Sequence, residues 1–330
     1  MKIFFFDTHA FEKDFFCQSP LAPNHEITFF EGRLTEKSAP LAKGFPCVCP
    51  FVNDDLSAPV LKELHQNGTR LIALRSAGFN HVDLHCANEL GLRVVRVPEY
   101  SPYSVAEHAL GLLQCLNRKL HRAYNRVREG NFSLDGLMGF DLHGKTVGVI
   151  GTGRIGSAFI KICKGFGCEV IAYDKYPDEN LSQELGFPYV SLEELYKKSK
   201  IISLHIPLCE DTHHLIEEKA IALMQEGVFL INTSRGGLVE TKALIQGLKS
   251  GKIGAAGLDV YEAESDYFFR DHSSETLRDD TLARLMTFPN VILTSHQGFL
   301  TEEALRRIAE TTFSNVSAYE RGEILSNEVL

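Results

Sequence analysis

Residues 146–156 read Thr146-Val147-Gly148-Val149-Ile150-Gly151-Thr152-Gly153-Arg154-Ile155-Gly156, followed by a run through Ala158, Ile162 and Phe166 and by a β-rich stretch from Glu169 that ends in Tyr173-Asp174. A β-branched run that stops at Gly-x-Gly-x-x-Gly and continues with helical spacing predicts a strand, a tight turn and a helix. Gly151 is expected to make the turn, Gly153 to let a pyrophosphate approach the backbone, and Gly156 to let helix and sheet pack closely. Arg154 and Ile155 open the helix, whose N-terminal N–H groups and positive potential would face the phosphates. Asp174 lies near the ~20-residue offset at which a carboxylate holds ribose hydroxyls and repels a ribose phosphate. This stretch therefore predicts a doubly wound parallel α/β sheet that takes NAD.

Working outward, strands are expected at 201–205, 228–232, 256–260 and 291–294. With 146–150 and 169–173 they make six, the number a doubly wound dinucleotide domain needs. Upstream, β-rich runs at 3–6, 26–30, 47–51, 71–74 and 92–97 alternate with helical patterns, two of which stop at Gly68 and Gly91. Such alternation predicts a second parallel sheet wrapped by helices. Ser101-Pro102 is a helix start, and the long helix through Val105, Ala109, Leu112 and Leu116 reads as the crossing between the two domains. A last amphipathic helix runs from Thr301 to about Arg321, with Leu305, Ala309, Phe313 and Val316 on one face.

Composition narrows the class. The chain has 330 residues, 44% hydrophobic and 23% charged, with 26 Gly and 12 Pro, which excludes disorder and collagen-like order. No apolar run approaches the ~20 residues that cross a bilayer. Lys2 followed by Ile3-Phe4-Phe5-Phe6 is too soon interrupted by Asp7, Glu12 and Lys13 for a signal peptide. A net charge of -9 argues against nucleic acid as a partner. The basic run from Arg118 to Arg128 reads as a solvated helix face or a subunit contact. The eight cysteines form no C-x-x-C pair, and Cys47 and Cys49 are expected to point to opposite faces of a strand, so no metal site is expected. The thiols read as reduced, which places the protein in the cytoplasm.

Hydride chemistry needs a proton donor and a cation for the substrate, at carboxyl ends of strands. Three residues fit: Arg235 after strand 228–232, Glu264 after strand 256–260, and His296 after strand 291–294. Histidine exchanges protons near neutral pH, a carboxylate orients it, and a guanidinium clamps a carboxylate through two hydrogen bonds. The set suits reduction of a 2-keto acid.

The glycine stretch, Asn232-Thr233-Ser234-Arg235-Gly236-Gly237 and Gly257-Leu258-Asp259-Val260-Tyr261-Glu262, in this order, resemble the D-isomer-specific 2-hydroxyacid dehydrogenase family over nearly the whole chain. The resemblance implies two doubly wound parallel-sheet domains with a cleft between them: a flavodoxin-like substrate domain of residues 1–100 plus 300–330, to which the last helix returns, and a Rossmann NAD-binding domain of residues 101–299. It implies Arg235 as the carboxylate anchor, His296 as proton donor and Glu264 as the residue that orients it. For NAD it adds Ile206, Pro207, Thr212, Thr233, Ser234, Arg235 and Asp259 to Gly151, Gly153, Arg154, Ile155, Gly156 and Asp174. For the substrate it adds the N–H groups of Ala77 and Gly78, with Val52, Tyr100 and Phe299 near the side chain. A homodimer or homotetramer is implied too.

Within the family, Phe51-Val52-Asn53-Asp54-Asp55, Val97-Pro98-Glu99-Tyr100-Ser101-Pro102 and the stretch from Glu264 to Asp271 resemble the fermentative D-lactate dehydrogenase branch, acting between pyruvate and D-lactate. A branched-chain or aromatic 2-keto acid reductase, or an NAD(H)-sensing corepressor-like protein, are the alternatives. Two positions depart from the expected pattern: Glu99, which bears on substrate charge, and Gly298, which is expected to widen the pocket.

Overall fold

The computed structural model describes residues 1–329. The chain divides into two compact units, one of Met1–Ser101 with the segment from Phe299 onward, the other of Pro102–Gly298.

In the first unit, strands β1 (Lys2–Phe5), β2 (Glu26–Phe29), β3 (Cys47–Cys49), β4 (Leu71–Ala73) and β5 (Arg93–Val95) form one parallel sheet in the order β2-β1-β3-β4-β5. This is the flavodoxin-like order. Strand β1 is interior and covered on both faces, which is why Ile3 to Phe6 are apolar without alternation. Ile3 and Phe5 join Phe16 and Phe313 on one face, while Phe4 and Phe6 join Val48 and Leu61 on the other. Helix Glu302–Glu320, capped by the Thr301 hydroxyl accepting from the Ala304 N–H, places Ile308, Ala309, Phe313 and Val316 in the first of these layers. Phe313 meets Phe16 edge-on with centroids 5.6 Å apart.

One expectation is corrected here. Cys47 and Cys49 do not face opposite ways: residues two apart on a strand share a face, and both are buried in the layer with Ile3 and Phe5. Burial pushes both thiols up, Cys49 to about 12.

The carboxyl ends of β1, β3 and β4 are gathered by Arg75, which is buried. Its guanidinium donates to both oxygens of Glu12 at 2.9 Å and to the carbonyls of Cys49 at 3.0 Å, Phe6 at 2.9 Å and Asp7 at 2.8 Å. Glu12 sits on helix Ala10–Gln18, an element the apolar pattern does not announce.

The second unit carries β6 (Thr146–Ile150), β7 (Glu169–Tyr173), β8 (Ile201–Leu204), β9 (Val228–Asn232), β10 (Ile253–Leu258) and β11 (Val291–Leu293), all parallel, in the order β7-β6-β8-β9-β10-β11. A single-residue parallel bridge, Tyr189 to Ala172, adds a rudimentary strand outside β7. It is held by the Ala172 N–H on Pro188 O at 3.0 Å and the Val190 N–H on Ala172 O at 2.9 Å. Counting it, the order from that edge is 3-2-1-4-5-6-7, the dinucleotide-binding arrangement with one strand more than the six read from sequence. Strand β10 also starts earlier than expected, at Ile253, because Gly254 sits at a register shift where a Cβ would lie 2.5 Å from the Gly227 carbonyl oxygen. Helix Pro102–Asn117 packs Ala106, Ala109, Leu113 and Leu116 against Val147, Val149 and Ile231. The opposite face is closed by Leu195, Leu230, Leu244, Leu248 and their neighbours. Among the described residues no helix is long and apolar enough to cross a membrane.

Candidate active site

Strand order reverses between β6 and β8, and ligands of such sheets bind outside the carboxyl ends at that point. The turn after β6 has the shape its glycines require. Gly151 has φ +95°, and a Cβ there would lie 2.5 Å from the His205 carbonyl oxygen at the end of β8. A Cβ on Gly156 would lie 2.0 Å from the Gly151 carbonyl oxygen, so only hydrogen fits where helix Arg154–Gly165 begins. Gly153 meets nothing within 4 Å and is exposed, which leaves the backbone open to a phosphate. Asp174, just past β7, accepts from the Thr152 N–H at 2.7 Å, the Thr152 hydroxyl at 3.0 Å and the Tyr176 N–H at 2.9 Å.

The loops after β8 and β9 complete this half. Past Ile206, the Pro207 carbonyl accepts from the Thr212 hydroxyl at 2.7 Å, and that hydroxyl in turn accepts from the Cys209 N–H at 2.8 Å. Ser234 donates to the Ile206 carbonyl at 2.6 Å. Thr233 Oγ1 is buried without a partner among the described residues, a polar atom in want of a ligand beside the switch point. An open glycine turn, a carboxylate fixed at the β7 end and an orphaned hydroxyl at the β9 end fit a dinucleotide.

Register brings the three candidate residues to one edge. Asn232 of β9, Leu258 of β10 and Leu293 of β11 are paired side by side, so Arg235, Glu264 and His296 leave the sheet at the same level. Arg235 opens a short turn, Gly236–Leu238, and its Nη1 donates to the Ser234 carbonyl at 2.7 Å. Gly236 is needed there because a Cβ would lie 2.1 Å from the Tyr261 carbonyl carbon. His296 Nδ1 and Glu264 Oε1 are 2.7 Å apart, and Glu264 Oε2 accepts from the Tyr261 N–H at 2.9 Å. The carboxylate is thus anchored on one oxygen and aims the imidazole with the other, which leaves Nε2 for a substrate.

His296 adopts φ +55°, a strained conformation for a residue with a side chain. Asp259, buried under the loop, holds it there. Its carbonyl accepts from the His296 N–H at 2.7 Å, and its carboxylate from the Gln297 N–H at 2.9 Å and the Gly298 N–H at 2.7 Å. Burial opposes its charge, but His108, Thr294 and the Gln297 N–H outweigh burial and hold the carboxyl below the usual range. Helix Pro102–Asn117 closes the loop from the other side, with Ser104 donating to the Gly298 carbonyl at 2.7 Å and His108 Nε2 3.1 Å from Thr294 Oγ1. Sequence reading missed Ser104 and His108; the available signal is two polar residues four apart on an otherwise apolar helix face.

Gly298 also needs correction. Its missing Cβ would point at Asp259 Oδ2, 3.0 Å away, and at His108 and Val105 beyond, so the glycine serves packing under the loop and widens no pocket.

The residues expected around the substrate side chain lie in the first unit. Tyr100 and Phe299 meet edge-on with centroids 6.3 Å apart, and Phe11 lies 6.2 Å from Phe299. Ala77 and Gly78 come just after Arg75-Ser76; their N–H groups donate to no described residue, while the Ala77 carbonyl accepts from Arg96 at 2.9 Å and the Gly78 carbonyl from Ser76 at 2.8 Å. Val52 sits in a turn fixed by Asp54, which accepts from the Phe51 and Leu34 N–H groups, both at 2.7 Å.

Strand order, the glycine turn and the carboxylate fixed at the β7 end define an NAD-dependent oxidoreductase of the doubly wound class. Residues 110–298 match the model for the NAD-binding domain of D-isomer specific 2-hydroxyacid dehydrogenases. The chain belongs to that family. It is 50% identical to D-lactate dehydrogenase of Escherichia coli over the whole of both chains. It is 52% identical to 2-hydroxyacid dehydrogenase homolog 1 of Schizosaccharomyces pombe, over 97% of this chain and 96% of that one. Its structure matches the pyruvate reductase of Chlamydomonas reinhardtii with a TM-score of 0.94 and 46% identity, covering 99% and 98% of the two chains.

Proposed function

We propose that this protein is a D-lactate dehydrogenase that interconverts pyruvate and D-lactate. The observation that carries the reading is the 2.7 Å contact between Glu264 and His296 at the carboxyl edge of the dinucleotide sheet. NAD, when bound, would supply the hydride chemistry; Gly151, Gly153, Arg154, Ile155 and Gly156 would hold its pyrophosphate and Asp174 its ribose hydroxyls, with Ile206, Pro207, Thr212, Thr233, Ser234 and Asp259 as further contacts. Arg235 binds the keto acid's carboxylate through its two-pronged fork. His296, protonated at Nε2, gives that proton to the ketone oxygen as the alkoxide develops, and in lactate oxidation the neutral ring takes it back. Glu264 accepts from Nδ1–H, fixing the ring's orientation and balancing its charge. Asp259, Ser104 and His108 are positioning residues for the loop that carries His296. In this reading residues 1–100 plus 300–330 form the substrate domain.

Val52, Tyr100 and Phe299 are assigned to the pocket for the substrate side chain. Two aromatic rings packed edge-on favour a methyl group, so pyruvate should be used more efficiently than phenylpyruvate. Because each methylene contributes only about 1–3 kcal/mol of discrimination, some activity on 2-ketobutyrate is compatible. Gly298→Ala should leave the pyruvate-to-phenylpyruvate ratio of kcat/KM unchanged, since its Cβ would face Asp259. The assay is NADH oxidation by the purified chain with each keto acid, with the chirality of the product determined. Higher efficiency with phenylpyruvate would assign an aromatic reductase, and no turnover with any keto acid would leave an NAD(H)-sensing role.

A second expectation concerns the cofactor. Three donors fix the Asp174 carboxylate, so it does not swing aside for a ribose phosphate. Like charges brought together cost several kcal/mol, and kcat/KM with NADPH should be lower than with NADH by about 10²-fold or more. Equal efficiency with both would remove Asp174 from the ribose site.

For assembly, we propose a homodimer or homotetramer. Helix Leu120–Arg128 buries none of its residues, and Leu120, Tyr124 and Val127 are exposed on it, as are Phe132, Leu134 and Met138 beyond it. Exposed apolar groups spaced along one helix mark a contact surface. Sedimentation should give a species larger than the 36.9 kDa chain. A cytoplasmic location fits eight free cysteines.

A further inference from the structure

Helix Arg154–Gly165 ends in a way that joins two cysteines. The Cys168 N–H donates to the Cys163 carbonyl at 3.1 Å, and the Gly167 N–H to the Lys164 carbonyl at 2.9 Å, with Gly167 at φ +73°. These paired 6→1 and 5→2 bonds around a left-handed glycine are a Schellman motif, which brings the side chains of its first and sixth residues into contact. In most proteins that contact is apolar. Here both residues are cysteine, both buried under the turn, and the Cys168 thiol donates to the Leu142 carbonyl at 3.4 Å.

We propose that Cys163 and Cys168 form a reversible dithiol/disulfide site, oxidised by a peroxide. The 6→1 backbone bond already sets the two residues side by side at the helix end, so closure calls for side-chain rotation and no refolding. The neighbouring Cys163 thiol holds the Cys168 thiol below its usual pKa while its own is raised, which makes Cys168 the attacking sulfur. Its thiolate attacks one peroxide oxygen, the O–O bond breaks, and the departing hydroxide is protonated to water. The Cys163 sulfur then attacks the resulting Cys168 sulfenic acid; the S–S bond forms, the S–O bond breaks, and hydroxide leaves with the Cys163 proton as a second water. Two electrons pass from the sulfurs to the peroxide. Cys47 and Cys49 are an internal control. They share a face, but two residues along an extended strand separate them further than a helix-end turn does.

Trypsin reads the site cleanly, because cleavage after Lys161, Lys164 and Lys175 puts Cys163 and Cys168 on different peptides, 162–164 and 165–175. The reduced full chain is treated with hydrogen peroxide, blocked with N-ethylmaleimide while unfolding, digested without reductant and weighed. The expected product is the two peptides joined, lighter than their sum by two hydrogens, released by dithiothreitol and absent from Cys163→Ser and Cys168→Ser. In Cys163→Ser a sulfenic acid should instead be trapped on Cys168 by dimedone. The peptide holding Cys47 and Cys49 should remain doubly alkylated. Exposed Cys17 and Cys209 report that oxidant was effective. If they are oxidised while 162–164 and 165–175 are recovered separately, each alkylated, the proposal is overturned; irreversible over-oxidation of Cys168 without a link would overturn it equally.

Discussion

Replacing His296 with alanine is expected to lower kcat for pyruvate reduction by about 10²–10⁴-fold, the contribution of a positioned proton donor, and to leave the dissociation constant of NADH unchanged. The two effects separate because the imidazole lies at the β11 end, whereas the turn and carboxylate proposed to hold the dinucleotide lie at the β6 and β7 ends. Glu264→Gln keeps the shape of the 2.7 Å contact but removes the charge that balances the imidazolium. A hydrogen bond to a charged group contributes about 1.5–3 kcal/mol, so this variant should lose roughly ten- to a hundredfold in kcat. Stopped-flow single-turnover rates with saturating NADH, alongside fluorescence titration of NADH, check both. A His296→Ala enzyme within tenfold of the parent rate would mean that another group delivers the proton.

Arg235→Lys is expected to raise KM for pyruvate by about 10²-fold with a smaller change in kcat, since the anchor holds the carboxylate in ground and transition states alike. An ammonium is a point donor and cannot reproduce two parallel hydrogen bonds from a planar fork, a difference of about 2–3 kcal/mol at a partly buried site. The loop itself should survive the change. Its course is set by the contact of Gly236 with the Tyr261 backbone, by the Asn232 side chain donating to the Arg235 carbonyl at 2.9 Å, and by the Ser234 hydroxyl on Ile206. Steady-state saturation with pyruvate at saturating NADH is the measurement. An unchanged KM would make Arg235 a structural residue, and equal loss of NADH binding would mean that the loop had moved.

The parts of the molecule that are legible in the chain are those whose cause is local. A glycine at φ +95° and another that leaves no space for a Cβ are stated by residue type, and a buried parallel strand such as β6 is stated by a β-branched apolar run. Helix Ala10–Gln18 is not legible, because one of its two buried positions is Glu12, whose partner Arg75 lies 63 residues away. The apolar stripe that would announce the helix is replaced by an ion pair that only the fold completes. The Tyr189 bridge is missed for a related reason: one residue of pairing leaves no periodicity. The packing role of Gly298 lay with Asp259 and His108, residues distant in sequence.

For the site the division is similar. The sequence by itself determined which residue types stand after which strands: a glycine turn after β6, an aspartate after β7, an arginine after β9, a glutamate after β10 and a histidine after β11. It also determined the family, because these motifs occur together and in order. Only the tertiary structure decided that Glu264 and His296 touch, that Asp259 holds the histidine loop in its left-handed turn, and that helix Pro102–Asn117 closes that loop through Ser104 and His108. The physical reason is that strand identity follows from short-range preferences, whereas contact between side chains 32 residues apart depends on the register that pairs Leu258 with Leu293 and so sets both loops at one level.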